Sequence, residues 1–144
     1  MAGDGDDRPM YEAIALDRFR NFAEAQHKFK AQGMSAKFDP EKKGWYATNI
    51  TQLRSKDKDG ELLHHELADA IEQGQVNRAY RFFLGKCGQD ECGLWAVPSR
   101  KDLSVFYVDQ TGTTWQKAFD GTSPEPGTKP DLAKGWTVRI KCEL

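Results

Sequence analysis

Between Met10 and Gln32, Tyr11, Ile14, Ala15, Phe22, Ala25 and Phe29 recur at three- and four-residue steps. That spacing lays them along one face of a helix, and Leu16, Phe19 and Ala23 widen the stripe. Asp17, Arg18, Arg20, Glu24 and Lys28 lie mostly off it, with Glu24 and Lys28 a favourable i, i+4 pair. Pro9 suits a first helical turn and Gly33 is a natural stop. An amphipathic helix of this length must find an apolar surface to cover. The chain supplies one only after Gly74, where the periodicity changes from helical to alternating.

The alternating segments read as strands over 79–86, 94–97, 104–109, 113–117 and 136–142, the second stopped by Pro98. Gln110-Thr111-Gly112 reads as a hairpin turn. Residues 120–135, with Gly121, Pro124, Pro126, Gly127, Pro130 and Gly135, read as a long loop. Between the first helix and the strands, residues 34–60 look irregular, apart from a short helical turn near Asn49–Leu53. A second helix is expected over 61–73, ended by Gly74. Helices first and consecutive strands after mean an α+β fold: a long N-terminal amphipathic helix on an antiparallel sheet of four to five strands. Residues 1–9 read as a flexible tail and residues 10–144 as one domain.

Composition narrows the function classes. The 21 Lys and Arg nearly cancel the 22 Asp and Glu of this 144-residue chain, which argues against a broad electrostatic grip on nucleic acid. With 11% aromatic residues, the chain has too much apolar surface to read as disordered. No apolar run approaches the ~20 residues that span a bilayer.

Several constellations are candidates for chemistry. Ser55 to Glu66 can be laid on a calcium-binding loop, with Asp57, Asp59 and Glu66 as ligands and Gly60 at the sharp turn. Against it, Ser55 stands where a carboxylate is expected, and Leu63 cannot ligate. The alternative is a solvated turn capping the second helix. His64 and His65, if both helical, point ~100° apart and cannot share an ion. Cys87 and Cys92 flank a turn, Gly88-Gln89-Asp90-Glu91, so a Cys87–Cys92 disulfide is one reading of the three cysteines and reduced thiols the other. Zinc is disfavoured, because no second close pair follows. No Gly-x-Ser-x-Gly, phosphate-cradling loop or His-Glu-x-x-His is present, and the expectation is a protein without enzymatic activity. Trp45 and Tyr46, if exposed, would form a contact surface together with the 120–135 loop.

Three stretches, taken in order, resemble the soluble part of type IV pilin-like proteins and type II secretion pseudopilins. Ala23-Glu-Ala-Gln-His-Lys-Phe29 looks like that family's helix end. Gly44-Trp-Tyr-Ala-Thr48 followed by Leu53 resembles its "Gly-x-Tyr-Ala-Thr, then Leu" segment. Ala79-Tyr-Arg-Phe-Phe-Leu84, then Trp95-Ala-Val-Pro98, then Val105-Phe-Tyr-Val-Asp-Gln-Thr-Gly112 resembles its strand series. The resemblance runs from about Tyr11 to Gly121. It implies a long helix laid across an antiparallel sheet and a structural subunit of a filament, at the periplasm or cell surface. The partners it implies are other pilin-like subunits or pilus and secretion assembly proteins. It also implies membrane attachment only through a hydrophobic N-terminal segment, and Met1 to Met10 stands where that segment would be. Its calcium-binding positions do not match Asp57 or Asp59. Two other readings remain: a calcium-dependent interaction module built on residues 55–66, and a cytosolic accessory protein if the cysteines are all reduced.

Overall fold

The computed structural model describes residues 7–141. Helix α1 runs Arg8–Ala31, so Arg8 and Pro9 form its first turn rather than the end of a tail. It stops where Gly33 takes a left-handed φ of 63°, a conformation that costs glycine little. Its buried positions are Ala15, Phe19, Phe22, Ala23, Ala25, Gln26 and Phe29. Phe19 therefore lies at the centre of the buried stripe, while Tyr11 and Leu16 are only partly covered.

Residues 34–49, expected to be irregular, carry two short 3-10 helices, Met34–Lys37 and Pro40–Lys42. A four-residue helix, α2 (Ile50–Leu53), follows, capped by the Asn49 carboxamide oxygen, which accepts from Gln52 N–H at 3.0 Å. Two short strands, β1 (Lys56–Asp57) and β2 (Gly60–Glu61), pair as a small hairpin where a featureless polar loop was expected. Helix α3 spans His65–Gln73, four residues later than the periodicity suggested. Leu62 and Leu63 are buried ahead of it, in a bend between β2 and the helix.

The remaining strands are β3 (Tyr80–Leu84), β4 (Gly93–Pro98), β5 (Ser104–Asp109), β6 (Thr114–Ala118) and β7 (Thr137–Ile140). They form one antiparallel five-stranded sheet in sequence order. The fold is thus α+β, with one long N-terminal helix and a five-stranded antiparallel sheet.

Strand alternation sorts the sheet into two faces. Tyr80, Phe82, Leu94, Ala96, Phe106 and Val108 join the helical residues in the main core. Phe19 meets Phe82 and Phe106 edge-on, with ring centroids 6.3 and 6.4 Å apart. The opposite face carries Phe83, Trp95, Val97, Val105 and Tyr107. Solvent does not wet this second face, because the chain between β6 and β7 folds back over it. Phe119 and Trp136 pack there. Trp95 donates its indole N–H to Thr128 O at 2.8 Å, and Gly127 N–H donates to Leu84 O at 2.9 Å. The Gly- and Pro-rich 120–135 segment is therefore in part a strap closing a second core, a role its composition does not disclose.

Candidate interaction surface

The C-terminal half of α1 holds two loops through polar side chains. Gln26 is 1% exposed. Its Oε1 accepts from Ala47 N–H at 2.8 Å and its Nε2 donates to Ala47 O at 3.0 Å, as a neighbouring strand would. One turn on, Lys30 donates to Gly44 O and, at 2.7 Å, to Gln89 O. Tyr46 N–H donates to Gly88 O at 3.0 Å. Segment 44–47 is thereby clamped between α1 and the tip of the β3–β4 hairpin. Gln26→Ala leaves the N–H and C=O of fully buried Ala47 without partners. The expected loss is about 2–4 kcal/mol of stability, read by urea unfolding. A loss within 0.5 kcal/mol, about what an ordinary surface change gives, would mean that the clamp is not needed.

Trp45 and Tyr46 belong to this clamped segment. Both are half-buried, with Lys42 over the Trp45 ring at 5.0 Å and Lys30 over the Tyr46 ring at 4.9 Å. Burial, with Cys92 and Asp90 nearby, raises the Tyr46 hydroxyl above its ordinary range. The pair is thus already engaged within the chain.

Of the 55–66 carboxylates, Asp57 and Asp59 share the β1–β2 hairpin, while Glu66 belongs to α3. Asp57 sits in β1, where its Oδ1 accepts from Asp59 N–H at 2.8 Å and its Oδ2 from Gln32 at 3.3 Å. These bonds hold its carboxyl below its usual range. Glu66 lies in the first turn of α3, lining a different cleft beside Arg18. Among the described residues, no group of three or more His, Cys, Asp or Glu side chains could hold a metal ion. The segment ahead of α3 is a tight hairpin. His64 and His65 stack at 4.6 Å between centroids, because His64 caps α3 from outside the helix, its Nδ1 accepting from Glu66 N–H.

Cys87 and Cys92 are free thiols in this structure. Burial pushes the Cys87 thiol up to about 11 and the Cys92 thiol higher still. Cys142 lies outside the described residues.

Beside the thiols, Glu91 sits 3.0 Å from Lys129 and 3.5 Å from Lys86, joining the hairpin to the strap. Its hydrogen bond with Lys129 leads the causes that hold its carboxyl below the ordinary 4.5. A depressed carboxylate stabilises the fold fully above its unfolded value, and that stabilisation is lost as pH falls through the lower folded value. Glu91→Gln should therefore flatten the fall in urea midpoint below pH about 4.5 while leaving the neutral-pH slope unchanged. An unaltered acid limb would mean that Glu91 does not couple to folding.

Besides a cleft of about 580 Å³ lined by His27, Lys30, Gly44, Tyr46 and Gln110, two further clefts stand open. The first is a polar cleft of about 390 Å³ between α1, α3 and the turn after it, lined by residues including Arg18, Glu66, Asp69, Gln73, Asn77 and Arg78. Arg18 lies over the Phe82 ring at 5.4 Å, and desolvation lowers its pKa. Arg78 and Ala79 both hold left-handed φ angles, 55° and 70°, a strained pair at the cleft edge. The second is an apolar groove of about 510 Å³ between the N-terminal half of α1 and the sheet, lined by Ala13, Leu16, Arg20, Ala23, Thr114 and Ile140 among others. Edge strand β7 borders it. Its residues are all exposed, including Val138 at 47% and Ile140 at 43%. Sequence periodicity marks Leu16 as core and gives no hint that it borders a groove.

No family model, no curated protein and no solved structure matches the chain. No helix among the described residues is long and apolar enough to cross a membrane.

Proposed function

We propose that this chain is the soluble domain of a filament or secretion-assembly subunit of the type IV pilin or pseudopilin kind, a structural protein working through protein–protein contacts and not an enzyme. The observation that carries the reading is the division of α1. Phe19, Phe22 and Phe29 are sealed against the core, while Ala13, Leu16 and Arg20 border an open apolar groove beside exposed edge strand β7. A helix with one face committed to its own sheet and part of another left to neighbours suits a subunit that assembles side by side. The resemblance of the helix end, the Gly44–Thr48 segment and the strand series supports the same reading, as does the α+β order.

The partners on this reading are other pilin-like subunits, and the compartment is the periplasm or cell surface. Near-balanced charge favours protein partners over nucleic acid. Antibodies raised against this chain test the reading, applied to fractionated cells and to sheared surface filaments by immunogold electron microscopy. Label on filaments or in the envelope fraction is expected. Label confined to the cytosol would overturn the proposal.

A further inference from the structure

We propose that Cys87 and Cys92 are a thiol pair facing each other across the tip of the β3–β4 hairpin that a disulfide-bearing oxidant converts to a disulfide, fastening that tip where it meets α1. Two backbone bonds bracket the pair. Gly85 N–H donates to Gly93 O at 2.8 Å, and Gly88 N–H donates to Glu91 O at 2.8 Å. The inner bond closes the turn through Gln89 and Asp90, which makes Cys87 and Cys92 the next facing pair outward. Between the two bonds, Lys86 and Cys87 face Cys92 alone, so the β3 side carries a bulge. Facing residues that share no backbone bond in an antiparallel ladder have Cα atoms about 4.5 Å apart, inside the roughly 4.4–6.8 Å window of a disulfide.

Register alone is not enough, because both side chains must point to one face. Here they do: Cys92 is 2% exposed in the main core and Cys87 packs against that same core. In the reduced form the Cys87 thiol is held only by weak contacts, with Gly93 O at 3.7 Å and Gln26 Nε2 at 3.9 Å. Closure costs no strong bond. The tip is also where Lys30 reaches Gln89 O and Tyr46 N–H reaches Gly88 O, so a covalent link there restrains α1, segment 44–47 and the hairpin together.

The exchange balances. The Cys87 thiolate, the more exposed of the two, attacks one sulfur of an oxidant R–S–S–R and expels one R–S⁻. Cys92, losing its proton, then attacks the Cys87 sulfur of the mixed disulfide and expels the second R–S⁻. Two thiols lose two electrons, and their two protons leave on two R–SH. Burial leaves little thiolate at neutral pH, so closure of the folded protein should speed up about tenfold per pH unit until Cys87 is ionised. This inference is independent of the filament reading, since its test reads the mass of one peptide.

The full wild-type chain is equilibrated with oxidised glutathione or with dithiothreitol, alkylated in denaturant, and digested with trypsin. Cleavage after Lys86 and Arg100 releases both thiols on one peptide, residues 87–100, away from Cys142. The expected result after oxidation is that peptide lighter by two hydrogens and free of alkyl groups. The unfolding constant of the oxidised chain should also be lower by roughly 10- to 100-fold. Two alkyl groups, persistent glutathione adducts, a link to Cys142, or a bridge that lowers stability would each overturn the proposal.

Discussion

Gly93→Ala should be among the most damaging single-methyl additions to this protein, lowering stability by about 3 kcal/mol, the upper end for overpacking. A Cβ at Gly93 would stand 1.8 Å from the Tyr107 Oη and 2.2 Å from its Cζ. Tyr107, on β5, lies across β4 at Gly93 and reaches Gly85, where a Cβ would stand 2.7 Å from its ring. The ring cannot simply step aside, because it is 4% exposed and packs against Trp95 with centroids 4.9 Å apart. The two glycines are thus the bed of one tyrosine, and backbone freedom is not the reason for either. Urea unfolding of Gly93→Ala, Tyr107→Leu and the double variant measures the coupling. The double variant should recover part of the Gly93→Ala loss, because a shorter side chain no longer meets the new methyl. A fully additive double variant would show that the clash lies elsewhere.

Phe19→Ala should cost about 3–5 kcal/mol, the range for truncating a buried aromatic that its surroundings cannot replace. Phe19 is 1% exposed and, among the described residues, is the side chain that meets both Phe82 on β3 and Phe106 on β5 edge-on. Its loss opens a cavity at the joint between α1 and the sheet, where two rigid elements limit collapse. The near-surface change Leu16→Ala, on the groove side of the same helix, should cost much less, because Leu16 is only partly covered. Comparable losses for both variants, read by thermal or urea unfolding, would mean that α1 is not seated on the sheet through its Phe19 face.

Much of the architecture was legible because it rests on periodicity. Strands β3 to β5 were legible because alternate residues of each serve the main core on one face and a second apolar cluster on the other. The helix was legible from its recurring Phe and Ala positions. What escaped prediction escaped for identifiable reasons. Gln26 interrupts the apolar stripe, and a polar residue there reads as surface until Ala47 is seen to occupy both ends of its amide. Lys56–Glu61 has no alternation, because neither face of so short a hairpin is buried deeply, so local hydrogen bonding by Asp57 decides its shape. Leu62 and Leu63 extend the apparent period of α3 although they pack from the bend that precedes it. The strap over Trp95 is invisible in sequence, since its anchors at Gly127 and Thr128 are backbone groups. At the site level, Trp45 and Tyr46 stand out as aromatics, and Tyr46 does line an open cleft, but the groove around Leu16 and Ile140 is built from residues that read as ordinary core and strand.

On the proposed function, the groove beside α1 and edge strand β7 meet a neighbouring pilin-like subunit. A photo-activatable residue placed at Ile140, which is 43% exposed, tests it in the native cell without disturbing the core. Ultraviolet-dependent adducts to a pilin-like protein are expected from Ile140, and none from a matched probe at Thr122 in the 120–135 segment. Equal adducts from both positions, or no adduct to any pilin-like protein from Ile140, would contradict it.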